Sequence, residues 1–239
     1  MIELGAWGGK LLLFVLSRWL RWVILRLMLL SVLAVIVYSF VPPPLTPLMV
    51  LRWTENEYAI KKDWIRLDEV SPHVVSAVIA SEDQRFLRHF GFDFQEIWSV
   101  LRTDGQRRGA STLSQQVAKN VFLWPGRSWI RKGLEVWFTA WIELIWSKER
   151  IFQVYLNVAE MGPGIYGFEA ASNQYFNKPC AKLNRYESAM LAATLPAPLK
   201  HNPARTSSTL LNRQSHILRT MRGLDPSLYG ELIMPKATP

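Results

Sequence analysis

The sequence predicts a mainly α-helical domain carried on one N-terminal transmembrane helix. Three observations lead there. From Ser71 onward, apolar residues recur at helical spacing in segments opened by Ser, Thr or Pro and broken by Gly or Pro. No stretch sustains the apolar–polar alternation of a half-buried strand. Near the start, a charge-free and mostly apolar run from Leu27 to Val41 follows Lys10, Arg18, Arg21 and Arg26 and stops at Pro42-Pro43-Pro44.

The 239 residues suffice for one sizeable core plus an appendage, and 49% hydrophobic content with eleven tryptophans excludes a disordered chain. Cys180 is the sole cysteine; it cannot form an internal disulfide and reads as a buried structural thiol. A net charge of +9 points to an anionic partner, whether nucleic acid, membrane surface or phosphorylated substrate.

Taken in order, residues 1–18 read as a cytoplasmic tail and 19–41 as the transmembrane anchor. Extending the apolar run back through Trp19 reaches the roughly 20 residues that cross a bilayer. A long apolar run with no small-x-small site behind it favours an uncleaved anchor over a signal peptide. Positive charge upstream places the N-terminus in the cytoplasm, the anchor in the inner membrane and the remainder in the periplasm. An exported domain excludes nucleic acid and leaves a membrane and a lipid-linked phosphate as partners. Residues 42–63 read as a linker without clear period; its Trp53 and Tyr58, like Trp64 just beyond it, suit either the membrane interface or the domain surface. Residues 64–222 form the domain and 223–239 a C-terminal tail.

Within the domain, Ser71-Pro72 opens a helix through Val74, Val75, Ala77, Val78 and Ile79. Phe94–Leu101 is a short helix, and Asp104–Ala110 a basic, glycine-containing loop. Ser111 or Thr112 caps a helix to about Val121, and Pro125-Gly126 ends it. Ser128 caps a long helix to about Trp146, with Leu134, Phe138, Trp141, Ile142 and Ile145 on one face. Further helices cover Ser147–Asn157, Tyr166–Phe176, Arg185–Leu195 and Thr206–Arg222, with a glycine-rich loop at Met161–Gly167.

Three constellations carry chemistry. Glu82 ends an apolar helix, so it is partly desolvated; its pKa rises toward the range where a carboxylate exchanges protons near neutrality. Asp83, Phe86, His89 and Asp93 accompany it. On the helix after Gly109, Ser111, Gln115 and Lys119 lie four apart, as do Thr112, Gln116 and Asn120. Hydroxyls, amides and an ammonium on adjoining faces suit a sugar diphosphate. Arg131 and Glu135 share a helical face beside Lys132, either as a surface ion pair or as an acidic group in a cationic cluster meant for phosphate. Gly162-Pro163-Gly164-Ile165-Tyr166-Gly167 matches G-x-G-x-x-G literally. The segment before it reads as a helix, not the strand that a dinucleotide site requires. No H-E-x-x-H, S-x-x-K or K-T-G occurs, which excludes those zinc and serine acyl-transfer chemistries.

Together these residues resemble the peptidoglycan glycosyltransferases, glycosyltransferase family 51. Glu82 to Asp93 fits E-D-x-x-F-x-x-H-x-G-x-D. Gly109 to Asn120 resembles G-x-S-T-L-T-Q-Q-x-x-K-N, with Ala110 and Ser114 as small-for-small departures. Arg131 to Glu135 fits R-K-x-x-E, Ser147 to Ile151 with Tyr155-Leu156-Asn157 resembles the fourth motif, and Gly162 to Ala171 the stretch after it. The resemblance covers about residues 64–222. It implies a lysozyme-like helical fold beside the membrane that polymerises lipid II onto a growing lipid-linked glycan through β-1,4 bonds, releasing polyprenyl diphosphate. It further implies Glu82 as general base and Glu135 as second catalytic carboxylate. Asp83, Phe86, Ser111, Thr112, Gln115, Gln116, Lys119, Asn120, Arg131 and Lys132 would bind substrate. A divalent cation, Mg2+ or Mn2+, beside Glu135 and partner proteins of cell-wall synthesis remain open. Of the rival classes, a peptidoglycan hydrolase has little use for phosphate-binding cations, and a wall-binding scaffold leaves the ordered motifs unexplained.

Overall fold

The protein is described from a computed structural model, which covers residues 3–56, 58–96, 98, 111–126, 128–225 and 229–233, with side chains from Arg18 onward except at Asn56, Glu231 and Ile233. It divides into two compact units, Met1–Val41 and Pro42–Pro239.

The first unit is one helix, α1 (Glu3–Phe40). Its stretch Arg18–Phe40 is long and apolar enough to cross a membrane. Two of its serine hydroxyls are satisfied inside the helix, Ser31 Oγ donating to Met28 O at 2.7 Å and Ser39 Oγ to Ile36 O at 2.6 Å. Neither therefore presents a bare polar group to a lipid environment. Helix begins well upstream of Trp19, so the expected tail is helical over its described part.

The second unit is mainly helical. Helix α2 (Pro47–Asn56) falls where the sequence was read as linker. It is only ten residues long and starts at Pro47, close behind Pro42-Pro43-Pro44. Helix α3 (Pro72–Glu82) starts at Ser71, whose Oγ accepts from His73 N and donates to Leu183 O at 2.8 Å. It is buried along Val74–Ala80. Helix α4 (Leu113–Phe122) is capped by Thr112, not Ser111. Then come α5 (Trp129–Ile145) and α6 (Lys148–Val158), capped by Ser128 and Ser147, and α7 (Phe168–Phe176). Helices α8 (Arg185–Thr194) and α9 (Ser208–Gly223) complete the main set. The expected tail holds a further turn, α10 (Gly230–Ile233), whose Leu232 is buried. Residues 94–96 and 98 are helical, opened by Asp93, whose Oδ1 accepts from Gln95 N and Glu96 N at 3.1 and 3.0 Å. The rest of the expected 94–101 helix and the basic 104–110 loop lie outside the described residues.

Strands appear where the sequence showed only the end of the linker and a glycine-rich loop. β1 (Lys61–Lys62) pairs parallel with β3 (Ile165–Tyr166), which pairs antiparallel with β2 (Glu160–Gly162). Strands of two or three residues are too short to display a period. The fold selects them because Gly164 turns the hairpin at φ 71°, with Ala59 O 2.6 Å from where a Cβ would sit.

Two layers of contact position the site. Helices α3, α8 and α9 share a core of Ala77, Ala80, Ala189, Ala192, Leu210 and Ile217, whose small side chains let the helices approach closely. Helix α4 packs on α5 and α6, with Phe122 stacked on Phe138 at 4.5 Å. Asn157 locks α6 to the segment before α3: its Oδ1 accepts from Ile65 N at 2.8 Å and its Nδ2 donates to Ile65 O at 2.9 Å. The side chain is fully buried. Asn157→Ala would strand both Ile65 groups, and a loss of about 2–4 kcal/mol is expected in denaturant unfolding. An unchanged midpoint would contradict this role. Cys180 is buried, and burial pushes its thiol pKa up to about 12, as befits a structural cysteine.

Candidate active site

The site is built from the ends of elements. Helix α3 runs through the core and delivers Glu82 half-buried at its last position. Glu82 Oε2 accepts a hydrogen bond from Gln116 Nε2 of α4 at 2.8 Å. Burial pushes its pKa above the ordinary glutamate range; Gln116, Arg213, Ser81 and Lys119 oppose this without cancelling it.

The next residue sets the geometry. Asp83 is buried and holds two partners: His89 Nε2 at 2.9 and 3.0 Å from its two oxygens, and Leu113 N, the first amide of α4, at 3.0 Å. It thereby fastens the start of α4 to the end of α3, which places Gln116 opposite Glu82. Thr112 Oγ1 donates to Gly91 O at 2.7 Å and accepts from Gln115 N, while Gln115 Oε1 accepts from Thr112 N at 3.0 Å. This reciprocal cap satisfies the helix terminus. Gly91 sits at φ 79°, and an added Cβ would lie 2.9 Å from Thr139 Cγ2 on α5, so only glycine fits this crossing.

Four of the expected substrate contacts are packed into the protein in this structure. Asp83, Thr112 and Gln115 are buried and engaged within the protein. Phe86 is buried too, its ring 5.9 Å from that of Phe152 with Lys148 Nζ 4.6 Å above it. A capping box and a polar cleft wall use the same residue types, which is why spacing alone could not separate them. Ser111 is exposed and Asn120 half-buried.

At the other end lies Glu135, buried on α5. Its oxygens meet Arg131 Nη1 at 3.1 Å and Lys132 Nζ. The surface ion-pair reading fails, because both Glu135 and Arg131 are shielded from water. Arg131 Nε is buried without a hydrogen-bond partner among the described residues. Lys119 connects the two carboxylates. Burial lowers its pKa, Glu135 and Glu82 raise it, and Arg131 and Lys132 lower it. Its side chain keeps an exposed flank while its ammonium sits in the field of both ends of the site.

A metal ion finds little support from these residues. Both Glu135 oxygens are paired with cations, and among the described residues no three His, Cys, Asp or Glu side chains gather to hold an ion.

A family model described as transglycosylase matches residues 49–222. The chain belongs to the transglycosylase family. Curated relatives named biosynthetic peptidoglycan transglycosylase include one from Bacteroides thetaiotaomicron, 53% identical over 80% of this chain and 80% of its own length. A second, from Bdellovibrio bacteriovorus, is 48% identical over 84% and 86%. A third, from Yersinia pseudotuberculosis, is 48% identical over 93% and 91%.

In this transglycosylase the matched span starts inside α2, the helix the sequence reading left in the linker. That helix reaches the site's border: Arg52 Nε donates to Glu160 Oε1 on β2 at 3.2 Å, and Lys119 acts on the same carboxylate. Glu160, half-buried, has its pKa raised by burial. Sequence reasoning missed this pair, and it missed Arg213, whose charge acts on Glu82 from a helix more than a hundred residues away. It also missed the Ser114–Glu143–Lys148 network, in which Ser114 Oγ and Lys148 Nζ both donate to Glu143 Oε1, the latter at 2.8 Å. Lys148 Nζ donates on to His89 O at 2.8 Å. The G-x-G-x-x-G match lies in the β2–β3 hairpin behind helix α6, so no dinucleotide fold surrounds it.

Proposed function

We propose that this transglycosylase polymerises peptidoglycan glycan strands, with lipid II as acceptor and the growing lipid-linked glycan as donor. One observation carries the reading. A half-buried carboxylate with raised proton affinity shares an electrostatic field with an ammonium that also feels an arginine–lysine–glutamate cluster. That is a base at one end and an anion cradle at the other.

Glu82 accepts the proton of the acceptor's GlcNAc 4-hydroxyl. The freed oxygen attacks the anomeric carbon of the donor from the face opposite the diphosphate. The β-1,4 bond forms as the bond to polyprenyl diphosphate breaks, and the α-linked sugar inverts. Glu82 then returns its proton to water. Gln116 holds Glu82 Oε2 in place. Lys119, Arg131 and Lys132 neutralise the departing diphosphate, which is already a good leaving group and calls for charge stabilisation more than for an acid. Glu135 holds the two cations in register. Ser111 and Asn120 are left to border the sugars. Any Mg2+ or Mn2+ would reach the site on the substrate diphosphate, with Glu135 as at most one protein ligand. Outside the site, α5 exposes Trp129 and Ile130, at 92% and 76%, directly before Arg131 and Lys132. An apolar surface beside a diphosphate cradle suits a lipid tail beside its headgroup. The apolar α1 is compatible with a single-pass anchor; we place its N-terminus in the cytoplasm and the catalytic unit in the periplasm, among wall-synthesis proteins.

Because Glu82 must be ionised to act, activity falls as pH drops through its raised pKa. The acid limb of kcat/KM is expected above the ordinary glutamate range. A limb inside that range would contradict the assignment. Incubation with labelled lipid II tests the function itself: lipid-linked polymer supports it, whereas inertness toward lipid II with shortening of intact wall glycan would establish the hydrolase instead.

A further inference from the structure

Helix α9 carries a charge that the motifs do not account for. Its buried seam is Leu210, Ile217 and Met221, which meets Ala77 and Ala80 of α3 and Ala189, Ala192 and Ala193 of α8. Around the helix, each residue advances by 100°. Gln214 and Leu218 therefore fall to one side of the seam. Both touch α8: Gln214 Nε2 donates to Tyr186 O at 2.8 Å, and Leu218 O accepts from Arg185 Nη2 at 3.0 Å. Arg213, by the same rotation, falls on the opposite side, toward α3, whose final residue is Glu82. Its charge acts on Glu82.

We infer that Arg213 is a positioning residue for the general base, supplying the fixed positive charge against which the Glu82 carboxylate is held. The inference rests on the reading of Glu82 as base. Other elements leave this role open. From α4, Gln116 gives a neutral hydrogen bond and Lys119 a charge, but one shared with Glu135. From α6, the Tyr155 phenol is kept neutral by its burial and, to a lesser degree, by the charge of Glu82. The seam contributions of α8 are alanines and Met190, and α10 contributes the buried Leu232. A diphosphate arriving at Lys119 would draw that ammonium away from Glu82. Arg213, on a different helix, would keep its field on the base throughout the cycle.

The test compares Arg213→Gln and Arg213→Lys in the full chain, using lipid II polymerisation across pH and thermal unfolding. Arg213 is exposed, so both variants should melt near the parent. Removing the charge should move the acid limb of kcat/KM upward by roughly half to one pH unit in Arg213→Gln, through kcat more than KM, while Arg213→Lys restores it. An unmoved limb in Arg213→Gln, or one moved equally in both variants, overturns the inference. Glu82→Gln, run in parallel, separates the two levels: if it stays active the base reading itself has failed, and if it is inactive the Arg213 result stands alone.

Discussion

Glu82→Gln is expected to abolish polymerisation of lipid II while leaving the fold intact. The amide keeps the shape of the side chain and can rotate its carbonyl toward Gln116 Nε2, so the 2.8 Å contact survives. What disappears is the ability to take a proton. General-base catalysis contributes about 10²–10⁴-fold, so kcat should fall by roughly that factor with KM little changed. Stability should move the other way. Since the folded-state pKa is raised, the folded protein binds this proton more tightly than the unfolded chain, and stability from this group is lost as pH rises through the interval between the two values. At neutral pH the ionised carboxylate is thus a burden on the fold, and the neutral amide should leave the melting temperature unchanged or higher. Turnover near the parent rate would remove Glu82 from the base position.

Lys119→Met is expected to cut kcat/KM by about 10²–10³-fold, the scale of one lost charge stabiliser in a desolvated site. The thioether chain fills similar volume, and removal of an ammonium whose charged form is already disfavoured by burial should not lower stability. Both reacting ends should register the loss. Glu82 loses one of the charges that oppose its protonation, so the acid limb moves upward, and the Arg131–Lys132–Glu135 cluster loses a neighbour that helps to meet the diphosphate. Donor binding or diphosphate departure should weaken most. Unchanged kinetics would place Lys119 outside the site.

The helices and their starts were legible in the sequence because caps are local. Ser71, Thr112, Ser128 and Ser147 each accept from an amide two or three residues on, within the reach of sequence pattern. The placing of Glu82 at a helix end and of Glu135 on a helix face with Arg131 was legible for the same reason. Helix α2 and the three short strands were not, because their stability comes from distant partners such as Glu160 for Arg52 and Gly164 for Lys61. The burial of Asp83, Phe86, Thr112 and Gln115 could not be read from spacing, which does not say which way each side chain points. Arg213 shows the same limit: only the packing of α9 between α3 and α8 turns an ordinary surface arginine toward the base.

The central claim is that a sugar hydroxyl, not water, attacks a carbon whose leaving group is a lipid diphosphate. The most direct measurement counts polyprenyl diphosphate released, β-1,4 bonds formed and free reducing ends appearing when the purified full chain acts on lipid II. Transfer predicts that diphosphate and new bonds rise together while free reducing ends stay at background, because every chain remains lipid-linked at that end. Reducing ends rising in step with diphosphate, without new β-1,4 bonds, would make water the acceptor and contradict the account.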